Sequence, residues 1–229
     1  MNVHHMLDAV PVLAVTFTLS IVAAIVAPVR VVAEAPSTPI TIVAFGDSLT
    51  AGYGVKASEA FPAQLQMALQ AKGYKVTIVN AGVSGDTTAD GLGRLDWALQ
   101  PVPDGAILEL GANDALRGTD PKLPRADLDK MLATFKSKGV DVLLAGMKAP
   151  NNWGPDYAKD FDAIYPDLAT KYGVALYPFF LDGVALDPAF TQSDGMHPTA
   201  AGIAEIVKRI LPDVETLVQH IAQRKTAAK

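Results

Sequence analysis

Apolar runs of strand length alternate with amphipathic stretches of helix length from about residue 40 to the carboxyl terminus. Nearly continuous apolar runs are typical of strands buried on both faces of a parallel sheet, and they fall at residues 40–45, 75–80, 105–110, 140–145 and, as a short run, 174–177. Helical spacing of apolar residues marks the stretches 61–72, 88–99, 125–138 and 156–172. This alternation predicts a three-layer α/β/α sandwich with a five-stranded, parallel, doubly wound, flavodoxin-like sheet.

The last amphipathic stretch predicts a helix over about residues 198–222. Pro198 suits the first turn, where an N–H has no intrahelical partner. Pro212 lies inside the stretch, where its ring and missing N–H are expected to kink or split the helix. Because no internal repeat or second domain is visible, we predict one domain over residues 36–229.

The amino-terminal segment differs in character from the rest of the chain. Residues 9–29 carry no charge, and the Ala-Glu-Ala at 33–35 fits a signal-peptidase site. These features favour a signal peptide over residues 1–35 and an exported, periplasmic or secreted protein. About 20 apolar residues can also span a bilayer, so membrane association through an uncleaved amino-terminal anchor is the alternative.

Composition excludes several classes of function. Half of the 229 residues are hydrophobic and 19% are charged, which is typical of a globular protein. The net charge of −5, with lysine and arginine scattered along the chain, indicates that nucleic acid is not a partner. The chain has no cysteine, which excludes disulfides, thiolate catalysis and cysteine-based metal sites.

Small and polar residues follow each predicted strand, at 46–49, 80–87, 111–114, 146–154 and, beyond the fifth strand, 194–198. In an open parallel sheet, ligands bind outside the carboxyl ends of the strands. We therefore expect these five segments to meet at one edge of the sheet and to contain the functional site.

Ser48 follows the first strand in a Gly-Asp-Ser-Leu segment. Taken alone, Asp-Ser after a strand is more often a turn or a helix N-cap than a nucleophile. A nucleophilic serine needs a base such as neutral imidazole. His197 is the candidate, since the other histidines lie in the amino-terminal segment or on the last helix. Asp194 can accept a bond from its Nδ1, although a helix capped by Asp194 is an alternative interpretation.

Acyl transfer also needs hydrogen-bond donors aimed at the oxyanion of the tetrahedral intermediate. The Ser48 N–H, the Gly82 N–H and the Asn113 side-chain amide are candidates. Gly82 alone also fits a loop glycine, and Asn113 alone also fits an Asx turn or a cap. Their order, each behind a successive strand, favours the catalytic interpretation.

These motifs resemble those of the SGNH hydrolases, also called the GDSL lipase/esterase family. The family's blocks match Gly-Asp-Ser-Leu at 46–49, the glycine at 82, Gly-x-Asn-Asp at 111–114 and Asp-x-x-His-Pro at 194–198. The resemblance covers essentially the whole chain after the amino-terminal segment. It is strongest to the exported bacterial branch of acyl-CoA thioesterases, lysophospholipases and arylesterases.

The resemblance implies a Ser48–His197–Asp194 triad and an oxyanion hole formed by Ser48, Gly82 and Asn113. It implies hydrolysis of small-molecule acyl esters, aryl esters or thioesters through an acyl-enzyme, with no metal and no cofactor. A monomer or a small homo-oligomer is expected.

Apolar residues near the predicted edge are candidates to line an acyl or aryl groove, with burial in the core as the alternative: Met147, Pro150, Trp153, Tyr157, Phe179 and Phe180. Trp153 is the strongest of these because it lies in a loop rich in glycine, asparagine and proline. A carbohydrate O-acetylesterase on the same fold is the alternative function. A flavin-binding module would use the loop at 48–52 but leaves Asp194 and His197 unexplained.

Overall fold

The computed structural model describes Met1 and residues 39–228. The elements in chain order are β1 (Ile40–Gly46), α1 (Ser48–Ala51), α2 (Phe61–Ala71), β2 (Val76–Gly82), α3 (Thr88–Ala98), β3 (Gly105–Glu109), α4 (Ala112–Leu116), α5 (Lys122–Ser137), β4 (Asp141–Ala145), α6 (Pro155–Asp162), α7 (Ile164–Tyr172), β5 (Ala175–Tyr177) and α8 (Ala200–Ala227), with short 3-10 helices at Ala57–Glu59 and Asn151–Trp153. The predicted signal peptide or anchor lies outside the described residues. Among those described, no helix is both long and apolar enough to cross a membrane.

The five strands form one parallel sheet in the order β2-β1-β3-β4-β5. This confirms the predicted doubly wound α/β fold, whose strand order reverses beside β1. The pairing places the last residues of all five strands in one row: Gly82, Gly46, Glu109, Ala145 and Tyr177. The segments that follow the strands therefore leave the sheet at one level.

Burial follows from the position of each strand in the sheet. Every residue of β3 is buried, and so is nearly all of β1, because helices cover both faces of these central strands. β2 lies at the edge and alternates at its start between buried and exposed residues. α2 packs with α8 on one face, and α3, α5 and α7 pack in sequence on the other. The core thus forms two apolar layers, one on each side of the sheet.

The single helix predicted over residues 156–172 is wrong, since the chain forms α6 and α7 with a break at Ala163. Pro166 lies in the first turn of α7, where proline is tolerated. It has no N–H to bond to the carbonyl of Asp162, so the helical ladder is interrupted at this point. The Asp162 side chain ties this break to the preceding loop, because its carboxylate accepts a bond of 2.9 Å from the N–H of Ala149.

The predicted split at Pro212 is also wrong, because α8 runs through this residue without interruption. The missing N–H removes only one bond, and the buried Ile210 and Val214 hold the helix on the sheet on either side. The helix also begins later than predicted. Thr199 is its N-cap and its side chain accepts a bond of 3.2 Å from the N–H of Gly202, which leaves Pro198 before the cap.

Tyr165 offers a test of how α7 is held against the sheet. Its side chain is buried and its hydroxyl donates to the carbonyl of Leu110 at 2.9 Å. We expect Tyr165→Phe to lower the free energy of unfolding in urea by about 1–3 kcal/mol, because a buried carbonyl loses its donor. Tyr172→Phe is the matched control on the same helix, since Tyr172 is only partly buried and water can replace its bond to Asp129. Equal losses in both variants would contradict this account.

Candidate active site

The turn after β1 presents Ser48 at the edge of the sheet. β1 ends at Gly46 and α1 begins at Ser48, with Asp47 between them as the N-cap. The Asp47 carboxylate accepts a bond of 2.9 Å from the N–H of Leu49. Capping is therefore the role of the aspartate in this motif. The neighbouring serine side chain is half-buried and is left to interact elsewhere.

Ser48 meets His197 and Asp194 in a continuous chain of hydrogen bonds. The Ser48 Oγ lies 2.9 Å from His197 Nε2, and His197 Nδ1 lies 2.7 Å from Asp194 Oδ2. The bond to His197 and those from the Met196 and His197 N–H groups lower the pKa of Asp194 to about 2. An ionised carboxylate only accepts, so Nδ1 carries the proton and Nε2 accepts from the serine hydroxyl.

The loop that carries His197 is tied to the segment after α1. The Gln192 N–H donates to the carbonyl of His197 at 2.8 Å. Its side-chain amide donates to the carbonyls of Tyr53 and Pro198, at 2.8 and 2.9 Å. The Tyr53 ring lies beside the imidazole, with 4.5 Å between ring centroids. Tyr53, a contact of His197 that the sequence analysis did not identify, is thus held in place by the same loop.

Gly82 ends β2 directly against α1. A Cβ at this position would lie 2.7 Å from the Cα of Ala51 and 2.9 Å from the carbonyl oxygen of Asp47. Only glycine therefore allows the end of β2 to approach the turn that carries Ser48. The Gly82 N–H donates to the side-chain oxygen of Asn80 at 3.0 Å.

Asn113 reaches the same place from α4, after β3. Its side-chain nitrogen donates to the carbonyl of Asp86 at 2.9 Å and to the Asp47 carboxylate at 3.2 Å. The structure thus brings Gly82 and Asn113 to the two sides of the Ser48 turn, as their places behind successive strands predict. The Ser48 N–H lies in the first turn of α1, where N–H groups have no intrahelical partner.

The chain matches the model of the GDSL-like lipase/acylhydrolase family over residues 44–204. It belongs to this family. An arylesterase of Vibrio mimicus is 40% identical over 184 residues, which cover 79% of this chain and 89% of that protein. A thioesterase 1/protease 1/lysophospholipase L1 of Escherichia coli K12 is 40% identical over 181 residues, covering 79% of this chain and 86% of that one. The crystal structure of AlinE4, an SGNH-hydrolase family esterase, is 46% identical, with a TM-score of 0.67 and coverage of 79% and 97%.

The family confirms the class of enzyme that the motifs predict. This member of the GDSL-like family is a serine esterase that hydrolyses small-molecule esters. The segments at 46–49, 82, 111–114 and 194–198, which carry the resemblance in the sequence, all lie within the matched region.

The apolar residues predicted to line a groove divide into two groups. Met147 and Phe180 are buried in the core, so they do not line an open groove. Here the chain continues the pairing of β4 with β5, since the Phe180 N–H donates to the Gly146 carbonyl at 2.8 Å, and the Phe180 ring packs edge-on against the buried Phe61. The others reach the surface at least in part, and they are Pro150, Trp153, Tyr157 and Phe179.

Trp153 is the most open of the predicted groove residues, with 43% of its surface exposed. Its indole N–H donates to the carbonyl of Ala115 at 2.8 Å, and its ring packs against Gly118. A fixed and partly exposed indole next to the segment after β3 is suited to contact an apolar group of a ligand.

Glu109 is a buried neighbour of the site that the sequence analysis missed. It accepts a bond of 2.7 Å from the Thr50 hydroxyl and is fully buried, as is Asp47. Burial and the nearby Asp47 raise the pKa of Glu109 well above its usual value, and burial raises the pKa of Asp47 to about 6. The signal in the sequence that could have identified Glu109 is a single carboxylate at the end of an otherwise apolar strand. Among residues 39–228, no group of three or more acidic, histidine or cysteine side chains forms a metal site.

Glu109→Gln tests this buried carboxyl pair. A carboxyl group with a raised pKa in the folded chain binds more protons there than in the unfolded chain, so stability falls as the pH rises between the two values. For Asp47 this interval runs from 3.8 to about 6, and Glu109 extends it upward. Over about pH 4 to 7 we expect the unfolding free energy of Glu109→Gln to fall less than that of the wild type.

The control for this measurement is Glu59→Gln. Glu59 forms a surface pair with Lys56 at 3.6 Å, and such pairs contribute little to stability. Its profile is expected to run parallel to that of the wild type. A profile of Glu109→Gln that is also parallel would show that the pair does not control this dependence.

Proposed function

We propose that Ser48 is the nucleophile, His197 the general base and Asp194 the carboxylate that orients the imidazole in an esterase of acyl and aryl esters. Acyl thioesters and lysophospholipids belong to the same proposed substrate range. The observation that carries the proposal is the pair of hydrogen bonds from Ser48 to His197, at 2.9 Å, and from His197 to Asp194, at 2.7 Å. The ionised Asp194 supports it, because it holds the imidazole with Nε2 facing the serine.

In the proposed mechanism the Ser48 Oγ attacks the ester carbonyl carbon while His197 Nε2 takes its proton. The tetrahedral intermediate then expels the alcohol or thiol, which receives that proton from His197. Water repeats the two steps on the acyl-enzyme, releases the carboxylic acid and restores the Ser48 hydroxyl. The reaction consumes one water for each ester hydrolysed.

The proposed oxyanion hole consists of the Ser48 N–H, the Gly82 N–H and the Asn113 amide. Before substrate binds, the Asn113 side-chain amide donates to the Asp86 carbonyl and to the Asp47 carboxylate. We expect the oxyanion to take the hydrogen that faces Asp47, since that bond, at 3.2 Å, is the longer one. The Gly82 N–H similarly exchanges its bond to Asn80 for one to the oxyanion.

The range of substrates is proposed from two observations. The relatives include an arylesterase and a thioesterase 1/protease 1/lysophospholipase L1. The partly exposed Pro150, Trp153 and Phe179 offer apolar surface in the segments that follow β4 and β5. Apolar surface in these segments favours acyl or aryl groups over the sugars of an O-acetylesterase.

We further propose that residues 1–35 direct export and are cleaved, which gives a periplasmic or secreted domain over residues 36–229. The basis is the uncharged stretch at 9–29 followed by Ala-Glu-Ala. Amino-terminal sequencing of the exported protein distinguishes this from an uncleaved anchor. The expected monomer or small homo-oligomer stays a prediction.

Ser48→Ala tests the proposed nucleophile. We expect it to lower kcat at least about 1,000-fold on nitrophenyl esters, acyl-CoA and lysophospholipid, because the Ser48 hydroxyl is the group hydrogen-bonded to His197 Nε2. Ser193→Ala is the control, since Ser193 is exposed in the loop that carries Asp194 and His197. Unchanged rates for Ser48→Ala would refute the mechanism. Wild-type activity restricted to acetate esters would instead indicate the O-acetylesterase.

Trp153→Ala tests the proposed apolar contact. We expect kcat/KM to fall about tenfold for long acyl or aryl esters and to change little for acetate esters, because only the larger groups lose apolar contact area. Trp97→Ala is the matched control, as this tryptophan is 78% exposed on α3. An equal fall for all chain lengths would mean that Trp153 supports the loop and does not contact the substrate.

A further inference from the structure

We infer that Arg94 is a positioning residue that fixes the relative positions of the three segments that supply the oxyanion-hole donors. The inference rests on the proposed function, because it presupposes that Ser48, Gly82 and Asn113 supply the donors. Arg94 lies on α3, and its side chain bonds to the carboxyl ends of β1 and β2. No motif in the sequence analysis includes it.

The guanidinium of Arg94 bonds to each of the two strand ends that carry a backbone donor. Its Nη2 donates to the carbonyl of Gly46 at 2.9 Å, two residues before Ser48. Its Nη1 donates to the carbonyl of Ala81 at 2.8 Å, the residue before Gly82. One planar group therefore sets the distance between the turn after β1 and the end of β2.

The third bond reaches the segment that holds Asn113. Arg94 Nε donates to the Asp86 carboxylate at 2.6 Å, and both side chains are largely buried. The carbonyl of the same Asp86 accepts the side-chain amide of Asn113 at 2.9 Å. The Arg94–Asp86 pair thus orients the amide donor through one intermediate residue.

The geometry requires a guanidinium and not simply a positive charge. Arginine presents its N–H groups in a rigid plane, whereas the lysine ammonium is a single point on a flexible stem. The guanidinium also lies over the Phe45 ring, with 4.2 Å from Cζ to the ring centroid, which fixes the plane. A lysine at 94 can therefore keep the ion pair with Asp86 but cannot bond to both strand ends at once.

A positioning role has a kinetic signature that a purely structural ion pair lacks. Donors displaced by a fraction of an ångström weaken binding of the transition state more than binding of the substrate. For Arg94→Lys we expect kcat on a nitrophenyl ester to fall about 10- to 100-fold, with KM changed by less than about threefold. The affinity for a trifluoromethyl ketone, which forms a tetrahedral adduct with a serine, should fall in proportion to kcat/KM.

Arg224→Lys is the matched control. Arg224 also pairs with an aspartate and a backbone carbonyl, at 3.0 Å to Asp141 and 3.1 Å to Asp104, but at the amino ends of the strands. The exposed Arg224→Lys variant should lose less stability than Arg94→Lys, and its kcat should be unchanged. Asp86→Asn is a milder second variant, because an amide oxygen still accepts from Arg94 without the charge. We expect it to lower kcat about threefold.

Three results would overturn the inference. They are an unchanged kcat in both Arg94→Lys and Asp86→Asn, a ketone affinity that stays at the wild-type value while kcat falls, or equal kcat losses in Arg94→Lys and Arg224→Lys. Should Arg94→Lys fail to fold, as judged by circular dichroism, Asp86→Asn decides on its own. Failure of the proposed function is seen separately, as turnover retained in Ser48→Ala.

Discussion

The site depends on how closely three parallel strand ends approach one another. At Gly46 an added Cβ would meet the side chains of Thr50 and Glu109, and at Gly82 it would meet the backbone of α1. Close packing of this kind leaves the backbone few alternative positions. Because β1 lies between β2 and β3, the packing of both neighbouring strands fixes the position of the turn that carries Ser48. The placement of the nucleophile is thus a property of the sheet more than of the turn itself.

Buried charge is distributed unevenly around this packed centre. Asp47 and Glu109 lie together beneath α1, whereas Arg94 approaches the same strand ends from α3 and pairs with Asp86. Burial raises the pKa of both neighbouring carboxyl groups, to about 6 for Asp47 and well above the usual value for Glu109. Asp194, whose pKa is lowered to about 2, lies on the open side, where its charge faces the imidazole. Burial and hydrogen bonding thus shift the pKa values of the carboxyl groups on the two sides of the serine turn in opposite directions.

The sequence alone predicted the sheet and the family, since near-continuous apolar runs leave few alternatives to buried parallel strands. It also placed Ser48, Gly82, Asn113, Asp194 and His197 at one edge, because each follows a strand end. Arg94 and Glu109 were not predicted as residues near the site because they lie within a helix and a strand. The sequence alone does not show which residues such a charged side chain contacts. Met147 was misplaced for a similar reason: only the continued pairing of the chain beyond β4 and β5 shows that it turns inward.

The predicted course of two helices was wrong near prolines, at Pro166 and Pro212. Both lack an N–H, yet one position coincides with a break between α6 and α7 and the other lies inside the continuous α8. Proline costs little in the first turn of α7, whereas in the interior of α8 it removes a helical bond. Apolar packing does not separate the two sites, since buried residues flank both prolines: Phe161 and Leu168 around Pro166, and Ile210 and Val214 around Pro212.

The side chain of Gln192 joins parts of the chain that are far apart in sequence. It bonds to the carbonyl of Tyr53, a short distance after Ser48, and to that of Pro198, directly after His197. Local opening of either segment therefore breaks the bonds that restrain the other. The serine is held by the sheet and its base by a loop, so heat that opens this loop should remove the base from the serine while the core remains folded.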